Sequence, residues 1–445
     1  MYGSRRDTEL ASALAGAFLA GAWDEDGLVA RGAQALSPRP RWLRAVARGV
    51  LEAYHRPPAD RPRELAAYVR VLLERRARPA AGPPEVRKWF TPEPEMGRKR
   101  WPVPDIATTG DLGALLGLEP GELDWFADVR RLERTVADRR LRHYRYAFVA
   151  RPGGPWRVIE RPKQRLKAIQ RLLLHEVLDR IPADDAAHGF TQGRSARTHA
   201  AAHVRRAVVI RLDLEDFFAS VPAVRVYGIF RTAGYPEGVA HTLTALCTNV
   251  VPEREWARVP RPQQPAAVVA HHRLGRRLSA PHLPQGAPTS PALANLAAFR
   301  LDRRLGGLAG AFGATYTRYA DDLTFSGGAN LIRGAGTFRA TVAAIARDEG
   351  FAVNERKSAL MTRAGRQHVT GVVVNDRLNV ARSEYDVLKA ILRNAALRGP
   401  AAENRAEVDD FRAHLLGRIA WVESLNPARG AKLRRRFDAV AWDDR

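Results

Sequence analysis

The run Ala314-Thr315-Tyr316-Thr317-Arg318-Tyr319-Ala320-Asp321-Asp322-Leu323-Thr324-Phe325-Ser326-Gly327 consists of two short β-branched and aromatic segments meeting at Ala320-Asp321-Asp322. That is the pattern of a β-hairpin with acidic residues at its tight turn. Adjacent carboxylates repel each other, so they face water or hold a cation. Oxygen ligands of this kind suit Mg²⁺, which takes one or two protein carboxylates and leaves its other positions to water and phosphate. For an isolated Asp-Asp a solvated turn is the simpler reading.

A third carboxylate changes the balance. Asp213 ends the apolar run Ala207-Val208-Val209-Ile210-Arg211-Leu212, which reads as a buried strand. A strand ending in Asp beside a hairpin tipped with Asp-Asp is a way to assemble a two-metal site for in-line phosphoryl transfer. Here the chain resembles the reverse transcriptases. Asp213 matches the acid of their first palm motif, Tyr319-Ala320-Asp321-Asp322 matches their YxDD box, and YTRYADDLTFSG is similar to the retron branch.

Composition agrees with an enzyme of nucleic acid. The 445 residues are 45% hydrophobic, enough for two or three globular domains. Lys and Arg number 72 against 48 Asp and Glu, a net charge of +24. An Arg-rich proteome accounts for part of such an excess, and a polyanionic partner accounts for it functionally. The single cysteine, Cys247, excludes an internal disulfide and a thiolate metal cluster and reads as a small buried hydrophobe. Leu10 to Trp23 follows Arg5-Arg6 but carries Leu10, Leu14 and Phe18 at helical spacing with Asp7 and Glu9 ahead, so it predicts a core-facing helix rather than a secretory signal. No run reaches membrane-spanning length, and the expectation is a cytoplasmic protein without a membrane partner.

Residues 1–82 predict a helical unit, with helices near 8–22, 40–55 and 62–77 separated by prolines. Residues 83–104 read as a linker rich in Pro, Gly and charge. Tyr144 to Phe148, a Gly153-Gly154 turn and Trp156 to Ile159 predict a hairpin. Residues 252–278 read as an irregular surface insertion, and Phe411 to Val422 as a helix pattern ahead of Arg434-Arg435-Arg436. Ser383 with Asp386 suggests a capping box. His199 and His203 stand four apart, as zinc ligands on one helical face do, but with no third ligand evident, capping or core packing is the plainer role. Leu283-Pro284-Gln285-Gly286-Ala287-Pro288-Thr289-Ser290-Pro291 combines a glycine that admits close backbone approach with a Ser-Pro helix start.

LPQGAPTSP is matched across reverse transcriptases, Arg161 to Arg171 resembles a retron block, and Gln367 to Asn375 resembles the retron primer grip. His199 departs from the family, which carries Asn there. The resemblance covers residues 100 to 445 and implies an α+β right-hand polymerase, with fingers and palm over 105–376 and a helical thumb over 377–445. It implies two Mg²⁺ ions, for which Mn²⁺ can stand in, at Asp213, Leu214, Asp321 and Asp322. It assigns the incoming deoxynucleoside triphosphate to Arg157, Phe218, Gln285, Gly286 and Lys357, with Phe218 rather than Phe217 under the sugar. It assigns nucleic acid to Lys163, Lys167, Arg194, Gly371, Arg434, Arg435 and Arg436. The partners implied are a cognate structured non-coding RNA, its DNA copy and an effector or toxin protein, in a system for phage defence. The competing readings are a group II intron-like or other defence-associated reverse transcriptase, and a non-catalytic RNA-binding scaffold. Intact Asp213, Asp321 and Asp322 argue against the scaffold.

Overall fold

The computed structural model describes residues 5–75, 84–150 and 156–442. The predicted Gly153-Gly154 turn lies outside them. The chain forms two compact units: residues 1–181 with 222–293, and residues 182–221 with 294–445.

In the first unit, helices Arg5–Leu19, Glu25–Ala35, Leu43–Ala53 and Pro62–Glu74 share a core that includes Leu14, Phe18, Leu28, Leu43, Leu65 and Val69. Leu10, Leu14 and Phe18 are buried, as their spacing predicts. The Glu25–Ala35 helix was not foreseen; Asp24 caps it by accepting from Gly27 N. The segment read as a linker is tied to this bundle. Glu85–Val86 pairs antiparallel with Leu36–Ser37, and Phe90 packs on the core. Pro and Gly content signalled irregular backbone, but apolar Val86 and Phe90 have surface to bury.

Residues 252–278, read as an irregular insertion, are ordered. They hold helices Glu253–Trp256 and Pro265–Leu278. Pro265 occupies the first turn of its helix, where a missing N–H costs nothing, so a proline signal that suggested loop marks a helix start. The Trp256 ring stacks on His271 at 4.4 Å, and Arg142 makes a buried ion pair with Glu255 at 2.7 Å. Tyr144–Val149 and Arg157–Pro162 form the predicted antiparallel hairpin. Cys247 is buried, and burial pushes its thiol up to about 12.

The second unit is built on a four-stranded sheet in the order Thr315–Tyr319, Asp322–Gly327, Val208–Leu214, Val353–Thr362, with all three pairings antiparallel. Helices Phe299–Ala311 and Ala335–Asp348 accompany it. A core that includes Val209 continues through Val369, Val372 and Val374 into Leu388, Leu415, Ile419 and Phe437 of the C-terminal helices. The helices placed after residue 377 therefore share one core with the sheet. The Arg382–Arg398 helix starts one residue before Ser383, with Ala381 at its N-cap and no side-chain cap, so the expected capping box does not form. Gly399, at φ +82°, ends that helix. The Gln367–Asn375 segment is a small hairpin, His368–Val369 with Val372–Val373. Thr370 and Gly371 both have positive φ, the requirement of a two-residue turn matched to strand twist.

Candidate active site

The acidic hairpin forms with Ala320 and Asp321 between its strands. Ala320 lies in the left-handed region, at φ +56°. Across the sheet Asp213 stands directly opposite Asp322, and Leu214 N donates to the Asp321 carbonyl at 2.9 Å. Three carboxylates thus belong to one end of one sheet because a strand terminus and a turn share a register. Burial and then the charges of Asp321 and Asp213 push the Asp322 carboxyl up to about 6, with Arg211 and Lys357 opposing. The Lys357 ammonium lies 3.1 and 3.2 Å from the two Asp213 carboxylate oxygens.

Among the described residues, no group of three or more His, Cys, Asp and Glu is gathered as a ready ligand cage. The donor chemistry nevertheless fits hard divalent ions, which need few protein carboxylates when phosphate and water complete the shell. Repulsion that keeps Asp322 hard to ionise is relieved by any cation placed against it.

The turn is held from behind. Arg318 is fully buried and donates to Asp302 through Nη2 at 2.6 Å and Nε at 2.8 Å. Its Nη1 donates to Asn295 Oδ1 and to the Ala320 carbonyl, both at 3.0 Å. Tyr316 OH also donates to Asp302, at 2.7 Å. Sequence reading missed this anchor because Asp302 lies in another element, with no spacing that links it to Arg318. His203, also buried, lies 2.7 Å from both Ser326 Oγ and Thr317 Oγ1, one on each hairpin strand. His199 stacks on Tyr319. Both histidines pack in the core, the plainer of the two roles considered for them.

Phe217 and Phe218 diverge. Phe217 is buried against Phe351 and under the Arg318 guanidinium, whereas Phe218 is half-buried and faces Phe190. Arg194 turns onto Asp185, Gly371 occupies its hairpin turn, and Arg434 pairs with Glu423 at 2.9 Å, while Arg435 is exposed. In the first unit, Glu160 N donates to the Gln285 carbonyl at 2.9 Å. A Cβ on Gly286 would come 2.7 Å from the Glu160 carbonyl oxygen, which explains the glycine. The Glu160 carboxylate is buried between His282 at 2.9 Å and Asn249 at 2.7 Å, fixing the strand that begins at Arg157. Burial opposes a charge on His282, but Glu160 outweighs it and raises its pKa. Lys163 donates to the carbonyls of Arg139 and Arg140, and Lys167 is exposed.

The family model for reverse transcriptase (RNA-dependent DNA polymerase) matches residues 149–387, the span that holds Asp213 and the Asp-Asp hairpin, and so places the chain among the nucleotidyl-transferring polymerases. The chain is 42% identical over 337 residues to the retron Mx65 reverse transcriptase of Myxococcus xanthus, a match covering 76% of this chain and 73% of that protein. It is 36% identical over 333 residues to the retron Mx162 reverse transcriptase of the same organism, covering 72% and 64%. It is 32% identical over 240 residues to the retron Ec86 reverse transcriptase of Escherichia coli, covering 54% and 65%. The chain belongs to the retron reverse transcriptases, RNA-directed DNA polymerases that make msDNA with a cognate non-coding RNA and use divalent metal. Among the described residues no helix is long and apolar enough to cross a membrane.

Proposed function

We propose that Asp213, Leu214, Asp321 and Asp322 form the polymerisation centre of a right-hand enzyme. The sheet would be its palm, the Tyr144–Pro162 region part of its fingers, and residues 377–445 its thumb. The observation that carries this reading is the register that sets Asp213 against Asp322, with Asp321 in the adjoining turn. Two Mg²⁺ bound there would activate the attacking hydroxyl and neutralise charge on the leaving group. The chain's own groups do the rest. Lys357, already against Asp213, is placed to give a proton or positive charge to departing pyrophosphate. Phe218, the more exposed ring of its pair, supports the sugar-gate role, since a side chain there would collide with a ribose 2′-hydroxyl. Arg157 suits the triphosphate because a guanidinium matches phosphate oxygens in pairs, and Gln285-Gly286 would bind the sugar. Lys167 and Arg435 are the exposed candidates for phosphate contact, whereas Lys163, Arg194 and Arg434 divide their donors with internal partners. DNA made on the cognate RNA would serve phage defence, with an effector protein as a further partner.

Asp321→Ala with Asp322→Ala tests the centre. Losing the ligand pair should remove about 4 kcal/mol of barrier lowering, roughly a thousandfold in rate. DNA synthesis on the cognate RNA should vanish while RNA binding by gel shift stays intact. Synthesis near the wild-type rate would place the chemistry elsewhere.

A further inference from the structure

Phe190 is 52% exposed, and its backbone sits at φ +59°. A bulky side chain in the left-handed region is uncommon and persists only where the surroundings hold it. Those surroundings are the catalytic turn. His188 N donates to the Arg318 carbonyl and Arg318 N to the Ala186 carbonyl, both at 2.7 Å, so the segment before Phe190 runs alongside the hairpin strand. A Cβ on Gly189 would lie 2.6 Å from Ala320 N, and the Gly189 carbonyl accepts from Asn295 at 2.9 Å. The position of Phe190 is thereby fixed to the backbone that carries Asp321.

The ring lies 6.3 Å from that of Phe218 and 6.4 Å from that of Tyr319. Phe190 therefore neighbours two rings whose backbone adjoins the carboxylates, Tyr319 at the end of the hairpin strand before Ala320-Asp321 and Phe218 just after the Asp213 strand. These two partly covered rings belong to motifs already assigned, Phe218 five residues after Asp213 and Tyr319 two before Asp321. The exposed Phe190 has no such role. Holding a large apolar ring in water on a strained backbone gains nothing for the isolated fold, but a flat ring is a stacking surface for a nucleobase.

We propose that Phe190 is a stacking site for the base at the 3′ end of the growing DNA strand, which it holds beside Tyr319 while the incoming sugar lies over Phe218. The inference rests on the assignment of Asp213, Asp321 and Asp322 as the polymerisation centre, because the 3′-hydroxyl must lie at those carboxylates. A base attached to that terminus falls next to Tyr319, and Phe190 is the aromatic neighbour there with a free face.

The test uses the full-length protein with a DNA primer annealed to an RNA template, carrying 2-aminopurine or an abasic residue at the primer 3′ end. The variants are Phe190→Trp and Phe190→Gly, the latter being compatible with φ +59°. Thermal melting is followed in parallel. Should the glycine variant fail to fold, Phe190→Asn, which tolerates the same backbone region, replaces it. Binding should quench 2-aminopurine with the wild type and Phe190→Trp but not with Phe190→Gly. Extension from a normal terminus should fall about 5- to 150-fold in Phe190→Gly, the range for one lost base–aromatic stack. The handicap of an abasic terminus should be large in the wild type and absent in Phe190→Gly. A folded Phe190→Gly with wild-type quenching and extension would overturn the proposal. Repeating the quench in Asp321→Ala with Asp322→Ala separates the two readings, since stacking requires no chemistry: lost synthesis with the quench retained supports both, lost synthesis with wild-type quenching in Phe190→Gly overturns the stacking site alone, and continued synthesis refutes the assignment of the centre.

Discussion

At the scale of single residues, the buried pair of Arg318 and Asp302 decides whether the acidic turn has one shape. Two ions removed from water cost more than their attraction returns unless every polar atom is bonded, and here the guanidinium also binds Asn295 and the Ala320 carbonyl. Removing one partner strands the other charge. Asp302→Ala should therefore lose about 3–5 kcal/mol in chemical denaturation, and DNA synthesis should fall with it. Replacing both residues, Asp302→Leu with Arg318→Met, should recover most of the stability, since an apolar pair of similar volume is often neutral. It should not recover synthesis, because the bond to the Ala320 carbonyl is gone. Equal recovery of stability and synthesis would show that Arg318 does not position the turn. Arg318 stands in the middle of the most legible stretch of the sequence, yet its role was not legible there. The carboxylates announced themselves by local pattern, whereas the partner of Arg318 is supplied by tertiary packing.

At the scale of elements, the acidic hairpin is fastened to the rest of its unit by His203, which bridges Thr317 and Ser326 on opposite strands. Burial, then the fields of His199, His188 and Arg206, lower the His203 pKa to about 3. Burial, His188 and Arg318 lower that of His199 to about 3 as well. Both groups bind protons more readily unfolded, near pH 6.5, than folded. Their neutral forms thus contribute stability in full above about pH 6.5, and that contribution drains away as pH falls from there toward 3. Between pH 7 and 5 the loss should be on the order of 2–4 kcal/mol for the pair. Urea denaturation at both pH values measures it, and His199→Asn with His203→Gln should shrink the difference; an unchanged difference would mean other groups set the acid sensitivity. The hairpin, the Asp213 strand and the first N-terminal helix were all readable from period and turn residues, because those signals are local. Residues 252–278 were misread because proline marks helix starts as well as loops. The Thr370-Gly371 turn was hidden inside a valine-rich run whose β pattern does not show where the chain reverses.

At the scale of the whole molecule, the net charge of +24 bears on how the polymerase holds its RNA. Counterion release makes binding fall with salt in proportion to the number of phosphates neutralised, so the slope of log affinity against log salt counts functional cations rather than basic residues. The C-terminal helix Pro427–Asp438 places Arg434, Arg435 and Arg436 in sequence, but they are not equivalent. Arg434 is paired with Glu423, which raises its pKa through that hydrogen bond and keeps its charge locally balanced. Arg435 and Arg436 carry no such acidic partner in the structure among the described ion pairs, and Arg435 is exposed. If this helix lies on the RNA backbone, Arg435→Ala with Arg436→Ala should reduce the slope by about 1.5 for single-stranded contacts or about 2 for duplex contacts. Arg434→Ala alone should change the slope much less while freeing Glu423, whose uncompensated charge would weaken binding slightly at low salt. Filter binding of the cognate RNA across a salt series measures both variants against the wild type. A slope identical to wild type in the double variant would remove this end of the helix from the nucleic-acid path and shift the search to the exposed lysines and arginines of the first unit, Lys167 foremost.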